Sequence, residues 1–590
     1  MSLNHELSDL FSTLADIMDI KGENAFKVLA FRKVSRIIKD LSIDIRQAVE
    51  DGTIGDIEGI GEHSQRVIVE YVKTGRSTDY DQLAQSVPAG LLPLLHIEGL
   101  GPKTLALFWK ERSITNADQL KAALEDGSLM GIKGIGEKKL AAIKRGLEAQ
   151  TRAAGRVGLA DALPVAEDMV QRLRQLPGVL HAEIAGSLRR RRETIGDIDL
   201  LCSVKDASLG EQITAAFAAF PTVTRVLNQG PVKASIISAS GLQVDLRVLA
   251  EQHFGAALLY FTGSKDHNVK VRSLAQKKGL TLNEWGLYKL DEYEKAGKKT
   301  SEAPPINPVA SKTEQEIYHK LGMEFVEPEL REDRGEVEAA LDHHLPKLIT
   351  RADIHGDLHS HTTASDGAAT IEEMAQAAKA LGYEYLAITD HSQSQAIANG
   401  LTPQRLLKHV EAIRKIASKL KGITLLAGSE VDILADGRLD YEDKVLAELD
   451  IVVASPHFAL KQDQHKATER LLRAIENRYV NVIGHPTGRL INAREGLPLD
   501  FPRIFDAAAK TGTALEINAG WPRLDLDEFH ARAAINAGVT LSIDTDAHSP
   551  QGLQDLALGL STARRAWVTS KNVLNCLPLT SLKTFLATKR

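Results

Sequence analysis

The chain has 590 residues and a net charge of −6, long enough at ~100–200 residues per domain for roughly three to five domains. Residues 1–350 sum to −4 and residues 351–590 to −2, which excludes a wholesale basic binder and leaves any polyanion to local patches. Two cysteines, Cys202 and Cys576, exclude a disulfide framework and a Cys-rich zinc module. The opening MSLNHELSDLF has no basic stretch ahead of an apolar one, so no signal peptide is expected. No uncharged apolar run reaches the ~18 residues of a membrane span. The expected compartment is the cytoplasm.

Residues 5–150 read as helices punctuated by glycine, with Leu7, Leu10, Phe11, Leu14 and Ile17 at helical spacing and no convincing strand before residue 180. One pattern repeats: IEGIGEHSQRVI (57–68), IEGLGPKTLALF (97–108) and IKGIGEKKLAAI (132–143). Each glycine pair, Gly59 and Gly61, Gly99 and Gly101, Gly134 and Gly136, allows a tight turn and leaves N–H groups open at a helix start, where a phosphate binds. Lys103 and Lys138 follow within the helices. Residues 131–158 add seven Lys and Arg against two acids. The repeat resembles the helix-hairpin-helix module, which implies a sequence-independent grip on DNA backbone.

From Ala182 the period changes to short strands: AEIAGS, DIDLLCSV, KASIISAS and LQVDLRVL. Asp197 and Asp199 lie two apart on a strand and so face one side, and Asp245 sits in a later strand that can pair alongside. Three adjacent carboxylates suit hard divalent cations such as Mg²⁺ or Mn²⁺, which take further ligands from substrate phosphates and favour in-line phosphoryl transfer. Gly186 and Ser187 form a turn able to present donors to phosphate, and Arg190 can neutralise charge there.

GSLRR…GDID, from Gly186 through Gly196 to Asp199, resembles the nucleotidyltransferase signature of family X DNA polymerases. YFTGSKDHNVKVR (260–272) and LTLNEWGLYKL (280–290) extend the likeness. It implies that Tyr260 and Phe261 line the sugar pocket and that Gly263 makes its backbone turn. Asn268 then reaches the minor-groove edge of the incoming nucleotide, Arg272 lies near the templating base, and Arg247 pairs with a catalytic aspartate when the site is idle. Residues 265–289 hold six Lys and Arg against two acids, as a duplex-gripping element needs. Val67 and His63 depart from the lyase pattern of some family members, and valine offers no amine for a Schiff base. Lys265 stands where the family pattern has an acid.

A polar, Pro-rich loop (296–313) and a charged connector lead to a βα alternation: YLAITD, ITLLAGSEV, IVVASPH, VNVIGH, TALEIN and VTLSIDTD. Ten of the 19 histidines fall in residues 351–590. His359, His361, Asp366, His391, Glu430, His457, His485, Asp546 and His548 sit at or beyond strand ends, where barrel active sites are built. Mixed nitrogen and oxygen ligands suit Zn²⁺, Mn²⁺ or Fe²⁺, and nine of them imply two or three ions. His355, His409, His465 and His530 fit no ligand position and are expected at the surface, while Arg489 is a candidate phosphate contact. The pattern resembles the polymerase and histidinol phosphatase (PHP) domain, a distorted seven-stranded (β/α) barrel with a trinuclear site, and matches all nine of its ligand positions.

The expected architecture is therefore multidomain. It comprises an all-α helical region (1–85, and 86–158 as fingers), an α+β palm (159–255), a thumb (256–326), a linker (327–352) and a PHP barrel (353–580). The resemblance implies a bacterial, nucleoid-associated monomer that fills gaps in primer–template DNA from deoxynucleoside triphosphates and carries a metal-dependent 3′→5′ exonuclease. A small-molecule phosphatase fused to a nucleotidyltransferase needs no threefold duplex grip, and a non-catalytic scaffold needs no intact Asp197, Asp199 and Asp245.

Overall fold

A computed structural model describes residues 3–40, 45–57, 59–96, 100–130, 132, 135–136, 139–140, 143–144, 156–296 and 303–589. The chain divides into two compact units, Met1–Arg156 with Lys265–Thr281, and Val157–Ser264 with Leu282–Arg590.

In the first unit, helices Leu3–Lys21 and Ala25–Asp40 pack Leu7, Phe11, Leu14 and Met18 against Val28, Phe31, Val34 and Ile38, the apolar stripe of an amphipathic pair. Val67 lies in the same core at 3% exposure. Gly59 has φ +92°, and a Cβ there would stand 2.6 Å from the Ile37 side chain. Gly61 and Gly101 begin helices Glu62–Thr74 and Pro102–Arg112, and no side chain caps either start. The first-turn N–H groups are thus left for a ligand or water. Lys103 is exposed on the second of these helices, and the Gly136 carbonyl accepts from the Lys139 and Leu140 N–H groups. Gly99, Gly134, Lys138 and most of the basic run 131–158 fall outside the described residues.

The second unit carries two large sheets, of five and seven strands, besides short strand pairs. The palm sheet contains β2 (Val179–Ile184), β4 (Ile198–Val204), β5 (Val223–Gln229), β6 (Lys233–Ser238) and β7 (Gln243–Ala250), in the order β2-β4-β7-β6-β5. The short strands β1 (Val157–Gly158) and β3 (Thr194–Ile195) pair with each other, so a strand precedes residue 180 after all. Two residues alternate too briefly to show a period. Strands β8 (Leu280–Asn283) and β9 (Gly286–Lys289) follow.

Seven parallel strands then run in sequence order: β10 (Gly356–Asp357), β11 (Tyr385–Ile388), β12 (Thr424–Asp432), β13 (Ile451–Ser455), β14 (Val482–Ile483), β15 (Ala514–Asn518) and β16 (Leu541–Asp544). A parallel bridge from Ser360 to Ala547 nearly closes the ring. Apolar residues run almost unbroken through β11, β13 and β14, as expected for strands buried on both faces. The helix Leu579–Thr588 closes the lower end with Leu582 and Leu586, so the barrel runs past residue 580.

The expected linker 327–352 is packed. Arg331 and Glu336 are fully buried there, and Arg331 donates to Glu314 and to the Val326 carbonyl. Its charges face partners rather than water, which composition alone does not distinguish. Palm and barrel share a core in which Leu524, Leu558, Ile491 and Trp521 of the barrel join the palm's apolar cluster.

Candidate metal centres

In the palm, β4 and β7 run parallel with Asp199 opposite Asp245, and Asp197 is exposed just before β4. Gly196 is exposed beside it. Gly186 has φ +63°, and a Cβ there would lie 2.2 Å from the Asp199 carboxylate. Only glycine lets the Gly186–Ser187 turn come this close to the acid. Burial, then the charges of Asp197 and Asp245, pushes the Asp199 carboxyl up to about 6, which is the response of crowded acids without a cation.

Lys233 supplies the nearest cation, 2.9 Å from Asp245, and Gln243 donates to the same carboxylate at 3.0 Å. Burial works to raise Asp245, but bonds from Lys233, Ser235 and Gln243 outweigh it and hold it low. Lys233 was not singled out from sequence, where it reads as an ordinary strand lysine. Arg247, expected to pair with an aspartate, instead lies over the Phe261 ring at 4.3 Å, and its charge reaches Asp199 only at range.

Helix Phe254–Thr262 ends in Tyr260, Phe261 and, at φ +68°, Gly263. The two rings meet edge to face at 5.1 Å, and Tyr260 is 37% exposed. Arg189 ties this helix end to the Gly186 turn through Thr262 Oγ1 (2.6 Å) and Glu314 (2.7 Å). Arg190 does not face open space: it donates to Glu332 at 3.0 Å and to the Thr262 carbonyl at 2.5 Å. An uncommitted guanidinium takes the nearest anion, and the buried connector supplies one. Asn268 and Arg272 lie on helix Lys265–Lys277, which belongs to the first unit, with Arg272 exposed.

In the barrel the nine expected ligands converge. Three overlapping sets have ligand atoms within 4.8 Å of one another: His361, Asp366, His391 and His548; His359, His361, Glu430 and Asp546; and His391, Glu430 and His457. His485 joins through Nε2, 2.9 Å from Glu430. His359 and His361 sit just beyond the two-residue β10 rather than within it. Buried His359 Nε2, His361 Nε2, His391 Nδ1, Glu430 Oε2 and Asp546 Oδ1 have no hydrogen-bond partner among the described residues. His391 Nδ1 and Glu430 Oε2 nevertheless approach to 2.8 Å. Buried polar atoms that crowd without bonding fit cations held between them. His485 (φ 25°) and Asp546 (φ 54°) sit in the left-handed region, a backbone cost met at functional sites.

Burial, with His391 and His548 nearby, pushes His361 down to about 4, and burial with Arg523 pushes His485 down to about 3. Burial opposes ionisation of Glu430 and Asp546, but the surrounding imidazoles hold both well below the carboxylate range. Against burial, neighbouring carboxylates hold His359, His391, His457 and His548 above the ordinary imidazole value, so a cation entering the cluster displaces protons from these rings.

Two buried acids hold ligands in place, and a third braces the loop between His361 and Asp366. Glu516 accepts from His359 Nδ1 at 2.7 Å and from the His485 N–H at 2.6 Å. Asp432 lies 2.5 Å from His457 Nδ1. Asp390 accepts from Thr362 and Ser365 and pairs with His409 at 2.8 Å. His409 is therefore no surface residue, because its ring is the buried partner of Asp390. His355 pairs with Glu384 and His530 with Asp527, while His465 is exposed. Arg489 is not a free phosphate contact: it pairs with Glu193 of the palm at 2.7 Å. Asp432 follows Glu430 by two on one strand, a usable signal, whereas Glu516 reads as any strand acid.

Fold and sites together define an enzyme with two separate metal-dependent centres and a DNA-gripping helical region. Residues 2–77 match a helix-hairpin-helix domain, 257–332 the DNA polymerase beta thumb and 357–520 the PHP domain. A DNA polymerase/3′-5′ exonuclease PolX of Bacillus subtilis is 39% identical over 98% of both chains. The barrel alone is similar to probable phosphatases. One from Thermoanaerobacter sp. (strain X514) is 30% identical over 37% of this chain and 89% of its own, and one from Caldanaerobacter subterraneus is 34% identical over 32% and 75%. The chain belongs to the PolX family, the bacterial family X DNA polymerases that carry a PHP domain.

Proposed function

We propose that the palm acids Asp197, Asp199 and Asp245 hold Mg²⁺ or Mn²⁺ for nucleotidyl transfer, and that the nine barrel ligands hold two or three Zn²⁺, Mn²⁺ or Fe²⁺ ions for 3′→5′ exonuclease action. The protein then fills short gaps in bacterial DNA from deoxynucleoside triphosphates, as a monomer, and trims the 3′ end it extends. Bound ions supply Lewis acidity and activate the attacking oxygen at both centres. The protein's own groups do the rest. Gly186 and Ser187 shape the phosphate turn, Tyr260 and Phe261 bound the sugar, and the helices begun by Gly61 and Gly101 grip the backbone with Lys103. Asn268 and Arg272 meet the nucleotide and template. Arg190 reaches the triphosphate by leaving Glu332.

The observation that carries this reading is the presence of two ligand-rich centres of different chemistry in one compact unit. It is tested on gapped primer–template DNA with Mg²⁺ or Mn²⁺. Asp197→Ala with Asp199→Ala abolishes extension and spares 3′ degradation, and His359→Ala with His361→Ala does the reverse. Loss of both activities in either pair rejects the separation. The likeness to probable phosphatases favours a second action of the barrel centre, removal of a terminal 3′-phosphate, read on a 3′-phosphorylated primer.

A further inference from the structure

Arg489, the phosphate contact expected from sequence, is already committed. Besides Glu193, it donates to the Arg523 carbonyl at 3.0 Å and to the Leu524 carbonyl, with Asp527 3.8 Å away. Those bonds fix the backbone of the loop after β15, which carries Arg523. The Arg523 side chain is 24% exposed. Its ion-pair contact is Asp546 Oδ2, at a long 3.7 Å, and no hydrogen bond from its guanidinium is found among the described residues. The two Asp546 oxygens divide their work. Oδ1 faces His361 at 3.0 Å and His359 at 3.5 Å, inside the cluster, while Oδ2 faces Asn518 at 3.2 Å and Arg523, with His485 Nε2 at 4.0 Å. Arg523 therefore stands at the edge of the cluster, one carboxylate away from the ligand atoms.

A second guanidinium stands close by. Arg494 donates to the Gly488 carbonyl at 2.9 and 2.6 Å and has no carboxylate partner within ion-pair distance among the described residues. Burial lowers its pKa, and the charge of Arg523 lowers it further. Gly488 in turn bonds the carbonyl of the ligand His485, so Arg494 is anchored on the turn after one ligand while Arg523 faces another, Asp546. Two guanidiniums so placed, neither paired closely with an acid, form a site that an anion relieves.

We propose that Arg523, backed by Arg494, is the phosphate subsite of the barrel centre and takes a non-bridging oxygen of the scissile phosphodiester. Glu193 of the palm positions it through Arg489. The proposal rests on the reading of the barrel as a phosphoesterase centre, and its test separates the two. The probe is inorganic phosphate added to the metal-loaded full-length protein, read as thermal stabilisation and as competitive inhibition of single-stranded DNA degradation. Metal content is measured in parallel.

Arg523→Gln should weaken phosphate binding and raise KM for DNA by about 10- to 100-fold, the worth of one charged hydrogen bond, with metal content unchanged. Arg523→Lys should recover part of the loss. Glu193→Gln should raise KM a few-fold while kcat changes less, the mark of a positioning residue. Undiminished phosphate binding in a fully loaded Arg523→Gln variant overturns the proposal, and so does loss of metal, which would make Arg523 part of the cluster's scaffold. If the wild type binds phosphate but degrades no DNA, the exonuclease reading fails and the phosphate readout still decides the role of Arg523.

Discussion

The palm and barrel centres solve one problem, holding divalent cations against phosphate, in opposite ways. The palm sets three acids on the neighbouring central strands β4 and β7 and just before β4, with Asp197 exposed and Lys233 standing in as counter-cation. The barrel buries most of its nine ligands inside a nearly closed ring and orients His359 and His457 with further buried acids. A site that awaits ligands from its substrate can stay open and partly protonated. A site that keeps its ions must be built in advance.

Metal removal breaks the comparison most directly. After loading and gel filtration into metal-free buffer, the barrel should keep its ions and its nuclease activity. Extension by the palm should fall by ~10³-fold or more until Mg²⁺ returns, since phosphoryl transfer there depends on ions held loosely by protein and substrate together. Metal analysis of the filtered protein checks this. Ion-free protein that still degrades DNA would remove the contrast.

The frame around the sites comes next in expected effect. Glu528 lies between Arg565 and Arg334, and Arg565 also bonds Glu332 and the Arg190 carbonyl, tying barrel, connector and palm. Burial opposes the Glu528 charge, but Arg565 and Arg334 outweigh it and hold its carboxyl at about 2. Glu314 sits at about 2 between Arg331 and Arg189. Depressed folded-state values mean that this stability is complete above the ordinary glutamate range, near ~4.3. It is lost as pH falls from there toward 2. Glu528→Gln leaves Arg565 short of a partner, which costs about 3 kcal/mol. It should lower Tm at pH 7 and flatten the acid limb, as calorimetry across pH 2–7 would read.

Within the barrel, Glu516→Gln sharpens the claim that orientation is built in advance. The amide cannot accept on both sides as the carboxylate does, from the His359 ring and the His485 N–H. Metal affinity should drop about 10- to 100-fold, measured by chelator competition, while extension is preserved.

These partners explain how far the sequence was readable. The nine ligands show because a strand-end position repeats with every βα unit, and Asp199 and Asp245 show because each sits in an alternating strand. Apart from Asp432, the residues that hold them do not, since their roles depend on pairings across the fold. Arg190 meets Glu332 from 142 positions away and Arg489 meets Glu193 from 296. His409 passed for a surface histidine because its partner, Asp390, lies 19 positions back in another element. The connector read as a solvated linker because composition records charge and not whether that charge is paired.

Glu332 gives the finest contrast. The barrel's arginine at the cluster edge has no close acid, whereas the palm's Arg190 is held by one, at 3.0 Å, that it shares with Arg565. If a triphosphate takes Arg190, it competes with Glu332, and removing that charge favours the nucleotide. Glu332→Gln keeps a hydrogen-bond acceptor and drops the competition, so KM for the incoming nucleotide should fall a few-fold with kcat nearly unchanged. That size reflects a partly buried ion pair exchanged for another rather than simply lost. Single-nucleotide gap filling at varied nucleotide concentration measures it. A raised KM would mean instead that Glu332 holds Arg190 where the triphosphate needs it, making the connector part of the nucleotide site rather than its rival.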